Sequence, residues 1–151
     1  NMCDTHSMSA ANADGSSVAA VIAAALAEAG ISHTAITAIK AHGTASLLND
    51  EAEAAGLLRI FSGSTLPPVC ALKPFIGHTL GACGLTELIL FWQALSNGFI
   101  PATTGIGADN TVLGISLVQT PAVPAAGIYL LDYFGFGGNN TALLIGTGDA
   151  R

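Results

Sequence analysis

An alternation of strand-like and helix-like segments is the feature that most limits the fold of this chain. Residues 34–42, with the sequence TAITAIKAH, are apolar and β-branched and predict a buried strand. The alanine-rich residues 14–30 before them and residues 49–61 after them favour helices. A second short strand is predicted at about 69–72 and a long helix over about 80–98. Alternating strands and helices predict an α/β fold, in which helices cover the faces of a sheet.

Capping residues mark the ends of the first two helices. Asp14 or Ser16 is expected to cap the first helix, and Gly30 is expected to end it. Asn49 or Asp50 is expected to cap the second helix.

The C-terminal part of the chain predicts a pair of antiparallel strands. Residues 99–127 hold three of the six prolines and predict a long connection with some extended structure. The apolar runs 127–135 and 141–146 flank the glycine-rich sequence FGFGGNN, and such a pair predicts a hairpin. The three to four strands that can be counted are few for a sheet of this class.

Few charged residues are available to solvate the surface of this chain. Charged residues make up 9% of it and hydrophobic residues 51%, whereas an ordinary globular domain is about a quarter charged. Much of the surface is therefore expected to be buried against a protein partner or a missing part of the same protein. The most apolar stretch, 85–95, is too short to span a membrane and contains Glu87 and Gln93.

Charge and cysteine usage argue against several kinds of site. The net charge is −6 and the four cations are scattered, which argues against a nucleic-acid interface. Cys3, Cys70 and Cys83 are irregularly spaced and predict neither a disulfide framework nor a zinc site. No H-x-x-H or C-x-x-C spacing occurs, so no catalytic metal is expected. We expect a reducing, cytoplasmic setting and no secretory leader.

Three chemically capable side chains follow predicted strands. His42 lies at the end of the first strand, Lys73 at the end of the second, and His78 five residues later. Ligands of open α/β sheets gather at the carboxyl ends of strands, so these residues are candidates for one site. Two imidazole N–H groups aimed at one oxygen would stabilise an oxyanion, and a lysine would orient one imidazole or disfavour its protonation. From spacing alone, a histidine at a strand end is more often a satisfied structural residue than a member of a shared site.

Three motifs, in this order, resemble the C-terminal half of a β-ketoacyl synthase, the elongating condensing enzyme of fatty acid and polyketide synthesis. They are AHGTASLLNDEAEAAGL, KPFIGHTLGACGLTE and FGFGGNN, and the start of the chain, residues 3–30, is similar to the start of that half. The resemblance covers essentially the whole chain. It implies a thiolase-like layered fold in which residues 1–151 form the C-terminal half, with its first strand missing. This half is incomplete without the N-terminal half.

The resemblance also implies roles for individual residues. His42 and His78 would bind the malonyl thioester carbonyl and stabilise the enolate, and Lys73 would support His78 through a network that includes Glu87. Phe136 would gate the acyl pocket. The remaining implied site residues are the supporting Thr44 and the glycine-rich turn of Gly135, Gly137 and Gly138.

The nucleophile implied by the resemblance is a cysteine in the absent N-terminal half. Cys83 lies near a helix start, where a thiolate is favoured, but we interpret it as a small packing residue. Cys70 and Cys3 are weaker candidates, and His6 and His33 are expected to be structural or exposed.

The resemblance also implies the partners of the chain. The expected partners are acyl carrier protein, the N-terminal half of the same synthase, and a second subunit in a homodimer or a ketosynthase heterodimer. No cofactor is expected beyond the phosphopantetheine of the carrier protein, which carries the acyl groups.

Two departures from the family pattern bear on function. Ala45-Ser46 follows the H-G-T motif, and Asp132-Tyr133 stands where the family has asparagine-serine. Asp132 is expected in a hydrogen-bonded structural site, although a change in the local potential is the alternative, and Tyr133 is a candidate to shape the acyl pocket.

Three classes of function fit this sequence. The first is part of an elongating synthase, and the second is a non-catalytic partner of the chain-length-factor type. Retention of His42, Lys73 and His78 favours the enzyme. A stand-alone interaction domain has no positive indication in the sequence.

Overall fold

The described residues of this computed structural model, 1–4, 12–107 and 111–148, contain a mixed sheet of five strands and a separate two-stranded pair. The strands are β1 (Met2–Cys3), β2 (Ile36–Ala41), β3 (Val69–Ala71), β4 (Thr111–Val112), β5 (Ile115–Ser116), β6 (Gly127–Gly135) and β7 (Asn139–Thr147). The order in the large sheet is β1-β7-β6-β2-β3, and β4 pairs with β5. Strands β3, β2 and β6 are parallel, whereas β7 is antiparallel to β6 and β1.

Four helices are described. They are α1 (Ser16–Ala29), α2 (Leu47–Ile60), α3 (Lys73–Ile76) and α4 (Cys83–Ser96). None of the described helices is long and apolar enough to cross a membrane. The predicted α/β architecture, with a mixed sheet covered by helices, is confirmed.

Local chemistry explains where α1 begins and ends. The N-cap of α1 is Gly15, in a left-handed conformation, and not the predicted Asp14 or Ser16. The Asp14 carboxylate accepts the N–H of Ser16, the first helical residue, at 2.8 Å. The helix ends at Gly30, whose left-handed φ of 67° suits glycine.

Two helix boundaries differ from the prediction. Helix α2 begins at Leu47, after Ser46, and not at the predicted cap at Asn49 or Asp50. The Asn49 side chain instead donates to Thr44 Oγ1 at 3.5 Å. The predicted long helix over 80–98 is divided into a 3-10 turn, Leu80–Ala82, and α4. Leu80 has a left-handed φ of 51°, which interrupts a continuous helix at this point.

Two elements were not predicted. The short strand β1 pairs with the start of β7 and brings the sheet to five strands among the described residues. The one-turn helix α3 follows β3 directly and contains Lys73. Both are too short to show a periodic pattern in the sequence.

Each face of the sheet has its own apolar core. On one face, Val18 and Leu57 of the first two helices pack with Leu130 of β6. On the other face, Phe91 of α4 packs with Tyr129 and Leu131 of β6. Successive residues of β6 therefore point to opposite faces, as they do in any strand buried on both sides. The long strand β6 is thus shared by both cores.

The parallel strands position the candidate site. Because β2, β3 and β6 run in the same direction, their carboxyl ends meet at one edge of the sheet. His42 follows β2, Lys73 lies two residues beyond β3, and Phe134 lies near the end of β6.

A glycine at the contact between α1 and α2 gives a test of this fold. A methyl group on Gly56 would come within 2.5 Å of Val18 Cβ, so Gly56→Ala is expected to overpack this contact and cost about 1–3 kcal/mol. We expect a lower urea midpoint for this variant, measured by circular dichroism on the complete protein that contains this chain.

Gly84→Ala in α4 is the matched control, because no described atom lies within 4 Å of a methyl group placed there. The control is expected to keep or raise the midpoint, since alanine favours a helix by about 1 kcal/mol over glycine. Equal midpoints for the two variants would contradict the close helix contact.

Candidate functional site

Two histidines meet at the carboxyl edge of the parallel strands. The rings of His42 and His78 are edge to face, with centroids 5.5 Å apart and an interplanar angle of 87°. His42 is 2% exposed, whereas His78 is on the surface of this chain. The structure therefore brings together the two histidines that the sequence marks as candidates.

The tautomer of His42 follows from its contact with Lys73. The Lys73 ammonium lies 3.3 Å from His42 Nδ1 and also donates to the main-chain carbonyl of His42. An ammonium has only N–H donors, so Nδ1 must act as the acceptor. The remaining proton of a neutral His42 therefore lies on Nε2, which is left to donate to a ligand.

The surroundings of His42 keep its imidazole neutral. Burial, which is the largest cause, and the charges of Lys73, Lys40 and His78 together lower the pKa of His42 from 6.5 to about 3. A neutral imidazole with its proton on Nε2 is therefore the form present near neutral pH.

The tautomer of His78 is set by the main chain. His78 Nδ1 accepts the N–H of Leu80 at 3.1 Å, so the proton of a neutral His78 also lies on Nε2. The left-handed φ of Leu80, 51°, belongs to the same tight turn as this contact. Each histidine thus has an Nε2–H available, one oriented by a lysine and the other by a backbone amide.

A buried ion network lies beneath His42. Glu87 of α4 is fully buried, and its two carboxylate oxygens lie 2.8 Å from the Lys73 ammonium and 2.7 Å from the Lys40 ammonium. The resemblance implies that Lys73 supports His78, but its ammonium lies against His42. The reason is topological, because Lys73 starts the short helix after β3, and β3 is the neighbour of the strand that ends at His42.

Lys40 is the functional candidate that sequence reasoning missed. It is the next-to-last residue of β2 and is 0% exposed. The signal was a lone cation in an otherwise apolar strand pattern, which is rare unless the charge is paired.

Two buried carboxyl groups lie on the other side of the His42 backbone. Glu53 of α2 accepts the N–H groups of His42 at 2.6 Å and Gly43 at 2.9 Å. The carboxyl of Asp132, which is 0% exposed, lies nearby, and neither of its oxygens has a hydrogen-bond partner among the described residues. Burial raises the pKa of both groups, and for Glu53 the charge of Asp132 raises it further.

An open cavity of about 680 Å³ lies in front of His78. The remaining residues that the sequence predicts for the site either line this cavity or belong to its glycine-rich turn. The lining includes Thr44, Cys83, Tyr133, Gly135, Phe136 and Gly138.

The glycine-rich turn needs its glycines for steric reasons. Gly137 and Gly138 have left-handed φ values of 75° and 74°, and a methyl group on Gly138 would come within 1.8 Å of the Asp4 carbonyl oxygen. The turn exposes Phe136, whose side chain is 76% accessible at the cavity.

The three cysteines are free and differ in environment. Cys83 is the first residue of α4 and is buried at the cavity wall. Cys70 lies inside β3, where burial raises the pKa of its thiol to about 12, so it is not a thiolate near neutral pH. Cys3 is exposed on β1.

The two remaining histidines are His33 and His6. His33 packs edge-on against Phe61, with ring centroids 5.6 Å apart, which fits the predicted structural role. His6 lies outside the described residues.

Similar proteins share both the sequence and the fold. The chain is 30% identical over 142 residues to 3-oxoacyl-(acyl-carrier-protein) synthase I, chloroplastic, of Arabidopsis thaliana, covering 93% of this chain and 30% of that protein. It is 33% identical over 144 residues to 3-oxoacyl-(acyl-carrier-protein) synthase 2 of Vibrio harveyi, covering 93% of this chain and 35% of that protein. The chain thus spans about a third of the length of these relatives.

Solved structures agree with this relationship. A ketosynthase in complex with its chain length factor from Xenorhabdus doucetiae gives a TM-score of 0.85 at 36% identity, covering 97% of this chain and 37% of the matched one. A type II polyketide acyl carrier protein complex with its ketosynthase gives a TM-score of 0.90 at 21% identity, which supports the fold alone.

A family model described as "Beta-ketoacyl synthase, C-terminal domain" matches residues 1–106. These residues include His42, Lys73, His78 and Glu87 and therefore the ion network around the two histidines. The chain belongs to the beta-ketoacyl synthase C-terminal domain family.

Proposed function

We propose that this chain is part of a 3-oxoacyl-ACP synthase that condenses malonyl-ACP with an acyl thioester, with loss of carbon dioxide, in fatty acid or polyketide synthesis. The observation that carries the proposal is the pair of facing imidazoles, His42 and His78, each with its Nδ1 occupied as an acceptor. Both Nε2–H groups are therefore left to donate to one oxygen.

The pair suits the development of an enolate. When the malonyl group loses carbon dioxide, the electron pair of the broken C–C bond passes into the thioester and negative charge gathers on its carbonyl oxygen. Hydrogen bonds from His42 and His78 stabilise that charge, and preorganised donors of this kind are worth about 3–4 kcal/mol each. The α-carbon then attacks the acyl group held on a cysteine thiolester, and the cysteine thiolate leaves.

Lys73 orients His42 and keeps it neutral. An imidazolium would lose the acceptor lone pair on Nδ1 and would be repelled by the ammonium, so the lysine holds the imidazole in its neutral form. Glu87 compensates the charge of Lys73 and fixes its position. The lysine therefore acts through the imidazole and not on the substrate.

The cavity is proposed to receive the acyl or malonyl group. Phe136 stands at its edge on a glycine-rich turn and is suited to gate access, and Tyr133 on its wall is suited to limit the acyl chain. In this proposal Thr44 supports the loop after His42 through its hydroxyl, which lies 3.0 Å from Ser46 Oγ.

The nucleophilic cysteine is proposed to lie in the N-terminal half of the same synthase. Helix α4 supports the need for that half, because it exposes Leu85, Ile89 and Trp92, at successive turns, by 65%, 51% and 43%. An apolar helix face of this kind is expected to be covered in the complete protein.

The assembly is proposed to be a homodimer or a ketosynthase heterodimer in the cytoplasm. Acyl carrier protein would deliver both substrates on its phosphopantetheine, so no other cofactor is proposed.

The alternative is a non-catalytic partner of the chain-length-factor type. Similar structures include ketosynthase–chain length factor complexes, so relatives of both kinds are compatible with this fold. The complete set of His42, His78, Lys73 and Glu87 favours the enzyme, because a partner that only shapes a cavity has no need of it.

His78→Ala in the complete protein tests whether His78 acts in the decarboxylation of malonyl-ACP and not in the acylation of the cysteine. We expect the release of carbon dioxide from malonyl-ACP to fall by about 100-fold or more, because one of two oxyanion donors is lost. Acylation of the cysteine by acyl-ACP, measured by mass spectrometry, is expected to be largely retained. An equal loss of acylation would show that His78 has a different role.

Two further samples serve as controls for that assay. His33→Ala is the matched control, because this histidine only packs against Phe61, and decarboxylation is expected to be retained. Residues 1–151 alone are expected to form no 3-oxoacyl product from the two carrier-bound substrates. Product formation by the isolated chain would contradict the placement of the nucleophile in the N-terminal half.

His42 is also expected to resist protonation. Its pKa of about 3 lies below the usual value of 6.5, so a neutral Nε2–H imidazole should persist as the pH falls from 7 to 5. Histidine nitrogen chemical shifts of the complete protein, assigned with His42→Gln, report this directly. A His42 signal that becomes imidazolium between pH 6 and pH 5 would contradict the proposed environment.

A further inference from the structure

Lys40 is a buried cation for which the proposed mechanism has no direct use. Its ammonium lies 2.7 Å from Glu87 Oε2 and 3.0 Å from the main-chain carbonyl oxygen of Asp132. It also lies 3.8 Å from the centroid of the Tyr133 ring, within the range of a cation–π contact. Because the ammonium is fully buried and has three directed contacts, the surrounding residues are arranged to hold its charge.

Lys40 and Lys73 both form ion pairs with the carboxylate of Glu87. Glu87 Oε2 faces Lys40, which leaves Glu87 Oε1 facing Lys73 at 2.8 Å. Lys73 then reaches His42 Nδ1. Because each oxygen of Glu87 has its own cation, the carboxylate is held in one rotamer. The position of the Lys73 ammonium thus depends on the contact between Lys40 and Glu87, which does not itself touch the imidazole.

Lys40 is one of two cations that face three buried carboxyl groups. The cations are Lys40 and Lys73, and the carboxyl groups are those of Glu87, Glu53 and Asp132. Loss of Lys40 would leave one cation facing three buried carboxyl groups, which is costly.

Two partners of Lys40 are consecutive residues of the neighbouring strand β6. Lys40 donates to the main-chain carbonyl of Asp132 and lies over the ring of Tyr133. The three residues therefore form one local arrangement between β2 and β6.

We propose that Lys40 is a positioning residue, whose ammonium holds Glu87 so that Glu87 holds Lys73 against Nδ1 of His42. The proposal rests on the proposed function of the histidine pair. Without Lys40, the Glu87 carboxylate is free to turn both oxygens toward Lys73 and to draw its ammonium away from His42. The imidazole then loses the contact that fixes its tautomer, and it loses one of the positive charges that disfavour its protonation.

Lys40→Met in the complete protein tests this role. Decarboxylation of malonyl-ACP is expected to slow about tenfold in kcat, as is usual when a residue that orients a site ligand is lost. The KM for malonyl-ACP is expected to change little, because Lys40 does not reach the substrate. Arg59→Met, which removes an exposed cation of α2, is the matched control and is expected to keep the wild-type rate.

A second variant separates positioning from simple charge balance. Lys40→Met combined with Asp132→Asn removes one cation together with one buried carboxyl, so the formal charge of the buried set is the same as in the wild type, and the variant is expected to fold. If Lys40 only balances charge, the double variant recovers the rate of the Asp132→Asn single variant. If Lys40 positions Glu87, the double variant folds but remains slow.

Histidine nitrogen chemical shifts supply a readout that does not depend on catalysis. In both Lys40 variants, His42 is expected to become protonated at a higher pH than in the wild type and to lose its single Nε2–H tautomer. The titratable or charged groups that face this network are Glu87 of α4, Asp132 and Tyr133 of β6, Cys70 of β3, Glu53 of α2, and Lys73 and His78 of the loop region after β3.

The outcomes separate this proposal from the proposed function. Wild-type kcat in Lys40→Met, full recovery in the double variant, or an unchanged His42 tautomer and titration would each overturn the positioning role. A complete wild-type protein that does not decarboxylate malonyl-ACP would overturn the proposed function instead. The chemical shifts of His42 would still decide whether Lys40 orients it.

Discussion

The buried carboxylate of Glu87 is the constraint on which the rest of the site depends. It is fully buried in α4 and forms ion pairs with lysines from two different parts of the sheet, Lys40 of β2 and Lys73 beyond β3. Removing one partner of a buried ion pair typically costs about 3–5 kcal/mol, because the remaining charge is left uncompensated. Glu87 therefore ties one helix to the carboxyl edge of the parallel strands, where the histidines lie.

The ion network matters for function because it sets the state of an imidazole. Lys73 occupies Nδ1 of His42, and burial together with the neighbouring cations keeps that ring neutral. The Nδ1 of His78 is occupied in a different way, by the N–H of Leu80. Two Nε2–H donors on adjacent rings are suited to a developing oxyanion, whereas two imidazolium groups would bind any anion without selecting the transition state.

The residues whose role follows from position along the chain were predictable, and those whose role follows from side-chain contacts were not. The strand before His42 and the helix from Ser16 have clear periodicity or capping residues, so both were found. The resemblance implies that Lys73 supports His78, yet strand adjacency puts the Lys73 ammonium against His42. Lys40 carries no motif, and its partner Glu87 lies 47 residues away.

A structure of the complete protein with a stable malonyl thioester analogue is the most direct test of this account. The account predicts that the thioester carbonyl oxygen lies about 3 Å from Nε2 of both His42 and His78, at hydrogen-bond distance. It also predicts that Lys73 remains on Nδ1 of His42 and does not touch the ligand. A carbonyl oxygen bound by only one histidine, or by Lys73 itself, would contradict the central role given to the histidine pair.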